Sequence, residues 1–334
     1  MEGELRAPGR ALGDPGAVSG GGRGTSGGGR ADGGDERAAR GGRAPRRPLP
    51  LPFDVAVPPN GYAWWYADAL SDDGAHGITL IAFLGSVFSP YYAFARDRGP
   101  ADPMNHVALN VSLYGSPRRW ALTDRGRGAA RRDRMNLSLG PSSLSWDGET
   151  LIISVREVTA PIPRPLRGEV RITPGPMNRE VFTLDQAGRH RWCPMAPACR
   201  AEVAFDAPAL RWAGTAYFDC NWGDAPLEAD FADWDWSRYP LPDGAAVLYD
   251  TRRRDGTRQS LALRFDRAGG VERLAPPPFA RLPRTLWGVR RGTQADAGQG
   301  ASVVRTLEDT PFYARSVLRS RLFGHAVEGV HESL

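Results

Sequence analysis

From residue 51 onward, turn signals divide the chain into short segments rich in β-branched and aromatic residues, and helical periodicity is scarce. Residues 78–83 form one such segment, and residues 106–114 alternate apolar with polar side chains. An Asp-Gly turn lies within residues 144–153, and Asp255-Gly256 separates two further segments. Asp-Gly between such segments indicates a β-hairpin. The pattern therefore predicts an all-β barrel or sandwich.

The length of the folded part predicts two β domains. Residues 1–50 are rich in glycine, arginine and alanine and almost free of aromatic and β-branched side chains, so we expect them to be disordered. The remaining ~285 residues exceed what one small barrel needs. We predict a first β-barrel domain over residues 51–185 and a second over residues 186–334, with a pocket at their junction.

The composition is that of a soluble globular protein. Of 334 residues, 41% are hydrophobic. No stretch approaches the ~20 apolar residues of a membrane-spanning helix. No apolar segment near the N-terminus indicates a secretory signal, so we expect a cytoplasmic protein. The three cysteines form no paired metal-binding motif, so we expect reduced thiols and no metal.

The net charge of +5 comes largely from residues 1–50, and every basic residue is an arginine. A basic extension can attract anionic lipid or nucleic acid. No nucleic-acid-binding motif accompanies it, so we expect no nucleic-acid partner and interpret it as a solvated extension.

Two short strings carry the residues that indicate chemistry. Residues i and i+2 of a strand share a face, so His190 lies beside Trp192, and Tyr217 and Asp219 lie beside Asn221. Apolar neighbours of Asp219 predict burial and a raised pKa, as a general acid needs. If both strands face one cavity, these residues can protonate an apolar double bond and stabilise the resulting cation with the two rings.

Each of these residues has a structural alternative. For Asp219 the alternative is an exposed strand carboxylate or one paired with an arginine. For His190 it is a structural or surface histidine, and for Trp192 and Tyr217 it is an ordinary place in the aromatic core.

Further aromatic residues predict the walls of an apolar binding site. Residues 61–68 and 88–94 are dense in rings that suit a long, flat apolar ligand, although an aromatic core explains them nearly as well. Residues 233–236 alternate carboxylates with indoles, which offers a further acid beside Asp219 or a solvated strand edge. The proposed substrate-binding residues are Trp64, Tyr66, Tyr91, Asn221 and Trp222.

Motifs for cofactors are absent from the sequence. No glycine loop opens a βα unit, and no GxSxG nucleophile elbow is present. We therefore predict a site that works without a cofactor.

Several longer strings closely resemble the carotenoid 1,2-hydratases, also called hydroxyneurosporene synthases. The strings that carry the resemblance are residues 53–54 with 61–74, 85–92, 105–111, the pair His190/Trp192, the pair Tyr217/Asp219 with Asn221, and 331–334. Together they span about residues 53–334 and leave out the N-terminal extension.

This resemblance implies a fold of two lipocalin-like β-barrels in tandem. It also implies cofactor-free hydration of the terminal C1=C2 bond of an acyclic carotenoid such as neurosporene or lycopene. The functional His, Trp, Tyr and Asp of the family fall on His190, Trp192, Tyr217 and Asp219.

The resemblance leads to a specific mechanism. Neutral Asp219 protonates C2, the charge at C1 lies against Trp192 and Tyr217, and a water near His190 attacks C1. Because carotenoids are insoluble in water, we expect peripheral association with the inner or intracytoplasmic membrane of a photosynthetic bacterium. Two alternatives stay open: a carrier of a long apolar ligand, and a non-hydrating isoprenoid cyclase or isomerase.

Overall fold

The computed structural model describes residues 51–334. The predicted disordered segment, residues 1–50, lies outside this range. Within it the chain is built almost entirely from antiparallel strands, which confirms the all-β prediction. The few helical segments are short: α1 (Pro90–Arg96), α2 (Leu227–Asp230) and the 3₁₀ turns Pro103–Asn105 and Arg127–Ala129.

The larger sheet has twelve strands. They are β1 (Tyr62–Ser71), β2 (Gly77–Leu84), β3 (Val107–Tyr114), β4 (Arg119–Arg125), β5 (Ala130–Arg132), β6 (Asn136–Leu139), β7 (Ser142–Trp146), β8 (Leu151–Val158), β9 (Pro165–Pro174), β10 (Phe182–Thr183), β11 (His190–Ala207) and β12 (Ala209–Gly223). The order is β4-β3-β2-β1-β12-β11-β9-β8-β7-β6-β5, with β10 paired to β11.

The smaller sheet has seven strands, and a separate pair accompanies it. They are β13 (Phe231–Leu241), β14 (Gly244–Arg253), β15 (Arg258–Asp266), β16 (Val271–Leu274), β17 (Phe279–Leu282), β18 (Arg291–Gln294), β19 (Ser302–Asp309), β20 (Ala314–Leu322) and β21 (His325–Ser333). The order is β16-β15-β14-β13-β21-β20-β19, and β17 pairs with β18.

Both predicted Asp-Gly turns are confirmed. Asp147-Gly148 connects β7 to β8, and Asp255-Gly256 connects β14 to β15. Each glycine has a positive φ, 107° at Gly148 and 86° at Gly256, a conformation that side chains with a Cβ rarely adopt.

Helix α1 is absent from the sequence prediction. Ser89 caps its first turn by accepting a hydrogen bond from the Tyr92 amide, and Pro90 occupies the first helical position. The helix has only seven residues, too few to show helical periodicity.

The sheets divide the chain between Gly223 and Phe231. Strands β11 and β12 belong to the larger sheet, because β12 pairs with β1 along its length. The boundary at residues 185 and 186 stays a prediction about domains.

The two faces of strand β1 contribute side chains to two separate hydrophobic cores. Trp65 and Ala67 point into the apolar core enclosed by the larger sheet. Tyr62 and Tyr66 point the other way and pack in a second cluster with Trp236 of the smaller sheet. The alternation of β1 thus places an aromatic layer between the two sheets.

A buried ion pair joins the sheets within this layer. Arg238 of β13 donates from Nε to Asp68 Oδ1 of β1 at 2.7 Å, and its Nη2 contacts the same oxygen. The Tyr66 hydroxyl donates to Asp68 Oδ2 at 2.8 Å. Both charged side chains are almost fully buried. Without its partner, either charge would lie unpaired in a low-dielectric layer.

Arg238→Met is expected to lower the free energy of unfolding by about 3–5 kcal/mol, because it leaves the Asp68 charge without its cation. Urea unfolding measures this loss. Arg319→Met, which breaks the exposed pair with Glu328, is the control, and its effect should stay below about 1 kcal/mol. Equally small losses in both variants would contradict a stabilising role for the buried pair.

Candidate active site

A small cavity lies between the two sheets. Its volume is about 40 Å³. This is room for a few water molecules, since each needs at least ~10–15 Å³. Residues of the larger sheet that line it include Trp64, Tyr66, Asp219 and Asn221, and those of the smaller sheet include Trp236 and Glu332.

Asp219 is the buried acid of this cavity. It lies on β12 and is 4% exposed. Its Oδ2 accepts hydrogen bonds from Trp192 Nε1 at 2.8 Å and from the Tyr217 hydroxyl at 2.9 Å. Burial raises the pKa of Asp219 well above its usual value, and the two hydrogen bonds oppose this only in part. Burial therefore favours the protonated form of Asp219.

The two hydrogen bonds also determine where that proton sits. Oδ2 already accepts from Trp192 and Tyr217. Oδ1 is buried and has no hydrogen-bond partner among the described residues. Because a neutral carboxyl carries its proton on one oxygen, the proton belongs on Oδ1 of Asp219.

Trp192 and Tyr217 therefore act on Asp219 through their polar atoms. Tyr249, Trp236 and Tyr66 surround the two rings, with centroids 5.0–6.0 Å apart. These three neighbours line the cavity, whereas Trp192 and Tyr217 lie behind the cavity wall. From the sequence we expect the ring faces of Trp192 and Tyr217 to contact a cation at C1. Neither ring lines the cavity.

His190 lies away from the cavity. Its ring is fully buried, with Nδ1 2.9 Å from the Tyr62 hydroxyl and Nε2 2.7 Å from Asp230 Oδ2. Its amide donates to Asp185 Oδ1 at 2.9 Å. The ring makes no hydrogen bond to Asp219. The histidine instead connects β11 to α2 and β1.

Strand pairing brings the two sequence strings together. β11 and β12 are neighbours in one sheet, with Trp192 opposite Asn221. His190, Trp192, Tyr217 and Asp219 thus all lie on the face that meets the smaller sheet. The sequence prediction requires only that both strands face one cavity, and neighbouring strands of one sheet also present these residues on a common face.

The predicted substrate-binding residues divide into two groups. Trp64, Tyr66 and Asn221 line the cavity. The structure does not bring Tyr91 and Trp222 to it. Tyr91 lies on α1 and is 70% exposed. Trp222 points to the opposite face of β12, where it packs against the core of the larger sheet.

The smaller sheet contributes functional residues that sequence reasoning missed. Trp236, Tyr249 and Glu332 line the cavity. The alternation of carboxylates with indoles in residues 233–236 is the sequence signal for Trp236. The sequence prediction assigns a possible role there to the carboxylates and none to the indoles. Asp235 points to the other side of the sheet, where it accepts a hydrogen bond from Ser333 and burial raises its pKa to about 7.

Comparisons with known proteins identify the family. The model of the family Carotenoid hydratase CrtC matches residues 80–334. The chain belongs to this family. The Acyclic carotenoid 1,2-hydratase of Thiocapsa roseopersicina is 57% identical over 284 residues, which are 84% of this chain and 70% of the relative. That of Rubrivivax gelatinosus is 52% identical over 289 residues, with the same coverage. The family expected from the sequence strings is confirmed.

A solved structure confirms the fold of this carotenoid hydratase. The crystal structure of the AttH protein of Nitrosomonas europaea superposes with a TM-score of 0.58 at 16% identity, covering 86% of this chain and 97% of that one. At this identity the likeness concerns the fold alone, and it confirms the lipocalin-like β architecture.

Three further findings apply to residues 51–334. In this range no three His, Cys, Asp or Glu side chains form a group that could hold a metal ion. Cys193, Cys199 and Cys220 are free and buried. None of the helices described has the length and apolar character needed to cross a membrane.

Asp219→Asn is expected to stabilise the protein at pH 7. Because burial raises the folded-state pKa above the unfolded-state value of ~3.9, the unfolded state releases its proton first as the pH rises. The wild type therefore loses stability from about pH 4 up to the folded-state pKa, whereas asparagine does not titrate.

Melting temperatures measured across this pH range test the prediction. The variant should have a higher melting temperature than the wild type at pH 7, and this difference should disappear toward about pH 4. A variant that melts below the wild type at pH 7 would mean that Asp219 is ionised in the folded protein.

Proposed function

We propose that this carotenoid hydratase adds water across the terminal C1=C2 bond of an acyclic carotenoid, with Asp219 as the proton donor. The family and the two relatives named acyclic carotenoid 1,2-hydratase support the reaction. The buried, partner-free Oδ1 of Asp219 in an aromatic cavity is the observation that supports the mechanism.

The first step transfers the proton from Asp219 Oδ1 to C2. Both electrons of the π bond form the new C2–H bond, and C1 becomes a tertiary cation. As the proton leaves, the hydrogen bonds from Trp192 and Tyr217 become charge-assisted, and such bonds are worth about 1.5–3 kcal/mol. The two residues thus stabilise the carboxylate that forms, in place of the direct cation contact expected from the sequence.

The second step joins water to C1. The cation lies against the rings of the cavity wall, among them Trp64, Tyr66 and Trp236, whose faces stabilise positive charge by up to ~2 kcal/mol each in a dry site. The oxygen of water forms the C1–O bond and then loses one proton. Only a proton and water are transferred, so this sequence of steps needs no redox cofactor.

Asp219→Asn should abolish hydration while the protein stays folded, because the amide cannot donate a proton to C2. Neurosporene or lycopene is incubated with each protein in ¹⁸O-labelled water, and the product mass is measured. Wild-type product should carry one ¹⁸O for each end that is hydrated, and the variant should give none above the uncatalysed background.

Other outcomes would support the rival functions. Binding of substrate without any product in the wild type would indicate a carrier. An isomer or ring without ¹⁸O would indicate a cyclase or isomerase. Wild-type turnover by a folded Asp219→Asn variant would contradict the assignment of the acid.

We further propose that the substrate enters from a membrane surface at an aromatic rim. We define this rim as Tyr91, Phe94, Trp287 and Phe312, each more than half exposed. The centroid of the Phe312 ring lies 6.3 Å from that of the Phe88 ring, and Phe88 lines the cavity. Exposed rings at the entrance of an apolar site suit the interface of a bilayer.

Arginines beside the rim favour an anionic membrane. Arg98 packs on the Phe94 ring, and the exposed Arg284 and Arg290 lie on either side of Trp287 in the chain. Each basic residue near an anionic bilayer contributes about 1 kcal/mol of attraction.

Replacing Phe94, Trp287 and Phe312 together with serine should reduce flotation with vesicles of phosphatidylcholine and phosphatidylglycerol. The control replaces Val158, at the end of β8, and Ile162, in the β8–β9 connection, with serine, since both are similarly exposed. Flotation of the control should match the wild type. Equal flotation of the rim variant would place membrane contact elsewhere.

A further inference from the structure

Two carboxyl groups line the cavity, and they come from different sheets. Asp219 lies on β12 of the larger sheet, and Glu332 lies on β21 of the smaller sheet. Because the two sheets pack against each other, the carboxyl groups reach the cavity from opposite walls.

The two carboxyl groups differ in their charged neighbours. Glu332 forms an ion pair with Arg315, which lies directly opposite it on β20 and is 1% exposed. Arg315 also donates to the Tyr114 hydroxyl at 3.3 Å. Asp219 has only the neutral donors Trp192 and Tyr217. Burial raises the pKa of both carboxyl groups, but only at Glu332 does a guanidinium oppose the rise. Environments that move the pKa values of two carboxyl groups apart in this way produce one acid and one base.

The cavity also contains two unused hydrogen-bond donors. Asn221 Nδ2 and Trp236 Nε1 are buried and have no partner among the described residues. Both residues line the cavity, and Trp236 lies directly opposite Glu332 in the β13–β21 pairing. An oxygen atom in the cavity would satisfy these donors, and the volume admits water. A water held there lies next to the Glu332 carboxylate.

We propose that Glu332 is the general base of the hydration and that Asn221 and Trp236 hold the attacking water beside it. This assignment rests on the proposed function. A lone pair of the water oxygen forms the C1–O bond, and the proton released passes to the Glu332 carboxylate. The proton lost from Asp219 is on C2. Exchange with solvent returns the proton from Glu332 to Asp219 between turnovers.

The test uses Glu332→Gln in D₂O. Removing a general base should slow hydration by at least about a hundredfold. Asp219 remains able to protonate C2, so the cation forms and, without activated water, returns to the alkene by losing a proton. The recovered substrate should therefore gain deuterium faster than it gains a hydroxyl group. Asp219→Asn should show neither deuterium nor hydroxylation, which separates the base from the acid.

Two further variants complete the experiment. Glu328→Gln changes an exposed glutamate on the same strand, paired with Arg319, and should hydrate like the wild type. Glu332→Asp keeps the negative charge for Arg315 but withdraws the carboxylate by one methylene. If Glu332→Gln does not fold, Glu332→Asp should show the same pattern of slow hydration with continued deuterium uptake.

Two results would overturn the assignment. One is wild-type hydration by folded Glu332→Gln. The other is a folded variant that takes up no deuterium, which would mean that Glu332 is needed for proton donation rather than for water activation. Failure of the wild type to hydrate carotenoids at all would instead refute the proposed function.

Discussion

Charge pairing in the layer between the two sheets determines which buried carboxyl group stays neutral. Asp68 lies against Arg238, and Glu332 lies against Arg315. Asp219 is the exception, because its contacts within residues 51–334 are neutral donors. A buried carboxylate without a cation is strongly unfavourable, so the proton stays on Asp219. The buried pairs keep the other charges satisfied while the two sheets pack closely around a neutral acid.

The period of a β-strand explains which parts of the site were predictable. Tyr217, Asp219 and Asn221 share a face because they are two residues apart, and the structure confirms this. The same rule places Trp222 on the opposite face, so its assignment to the site contradicted the pattern. Tyr91 lies outside the cavity for a different reason. A proline after a capping serine begins the short helix α1, which turns the ring to solvent.

The remaining site residues depend on contacts that no local pattern contains. Glu332 reaches the cavity because β21 pairs with β13 in a register that places it opposite Trp236. These residues are far apart in the sequence, and a register shift of one residue would turn both away. The predicted strand face of His190 is correct, but its ring lies away from the cavity and pairs with Asp230 of the short helix α2. Side-chain partners of this kind follow from tertiary packing.

Within residues 51–334 no arginine pairs with Asp219, and this affects the transition state of the proposed reaction. A cation at that position would stabilise the carboxylate, lower the pKa and remove the proton before the substrate arrives. In the proposed reaction the carbocation itself becomes the counter-ion, because it forms at C1 while the negative charge forms on Asp219. Proton transfer then creates an ion pair in the dry cavity instead of an isolated charge. Asp219 is consequently a strong acid only when a double bond lies against its Oδ1. Trp192 and Tyr217 donate neutral hydrogen bonds that assist the proton transfer to C2 and do not ionise Asp219 in advance.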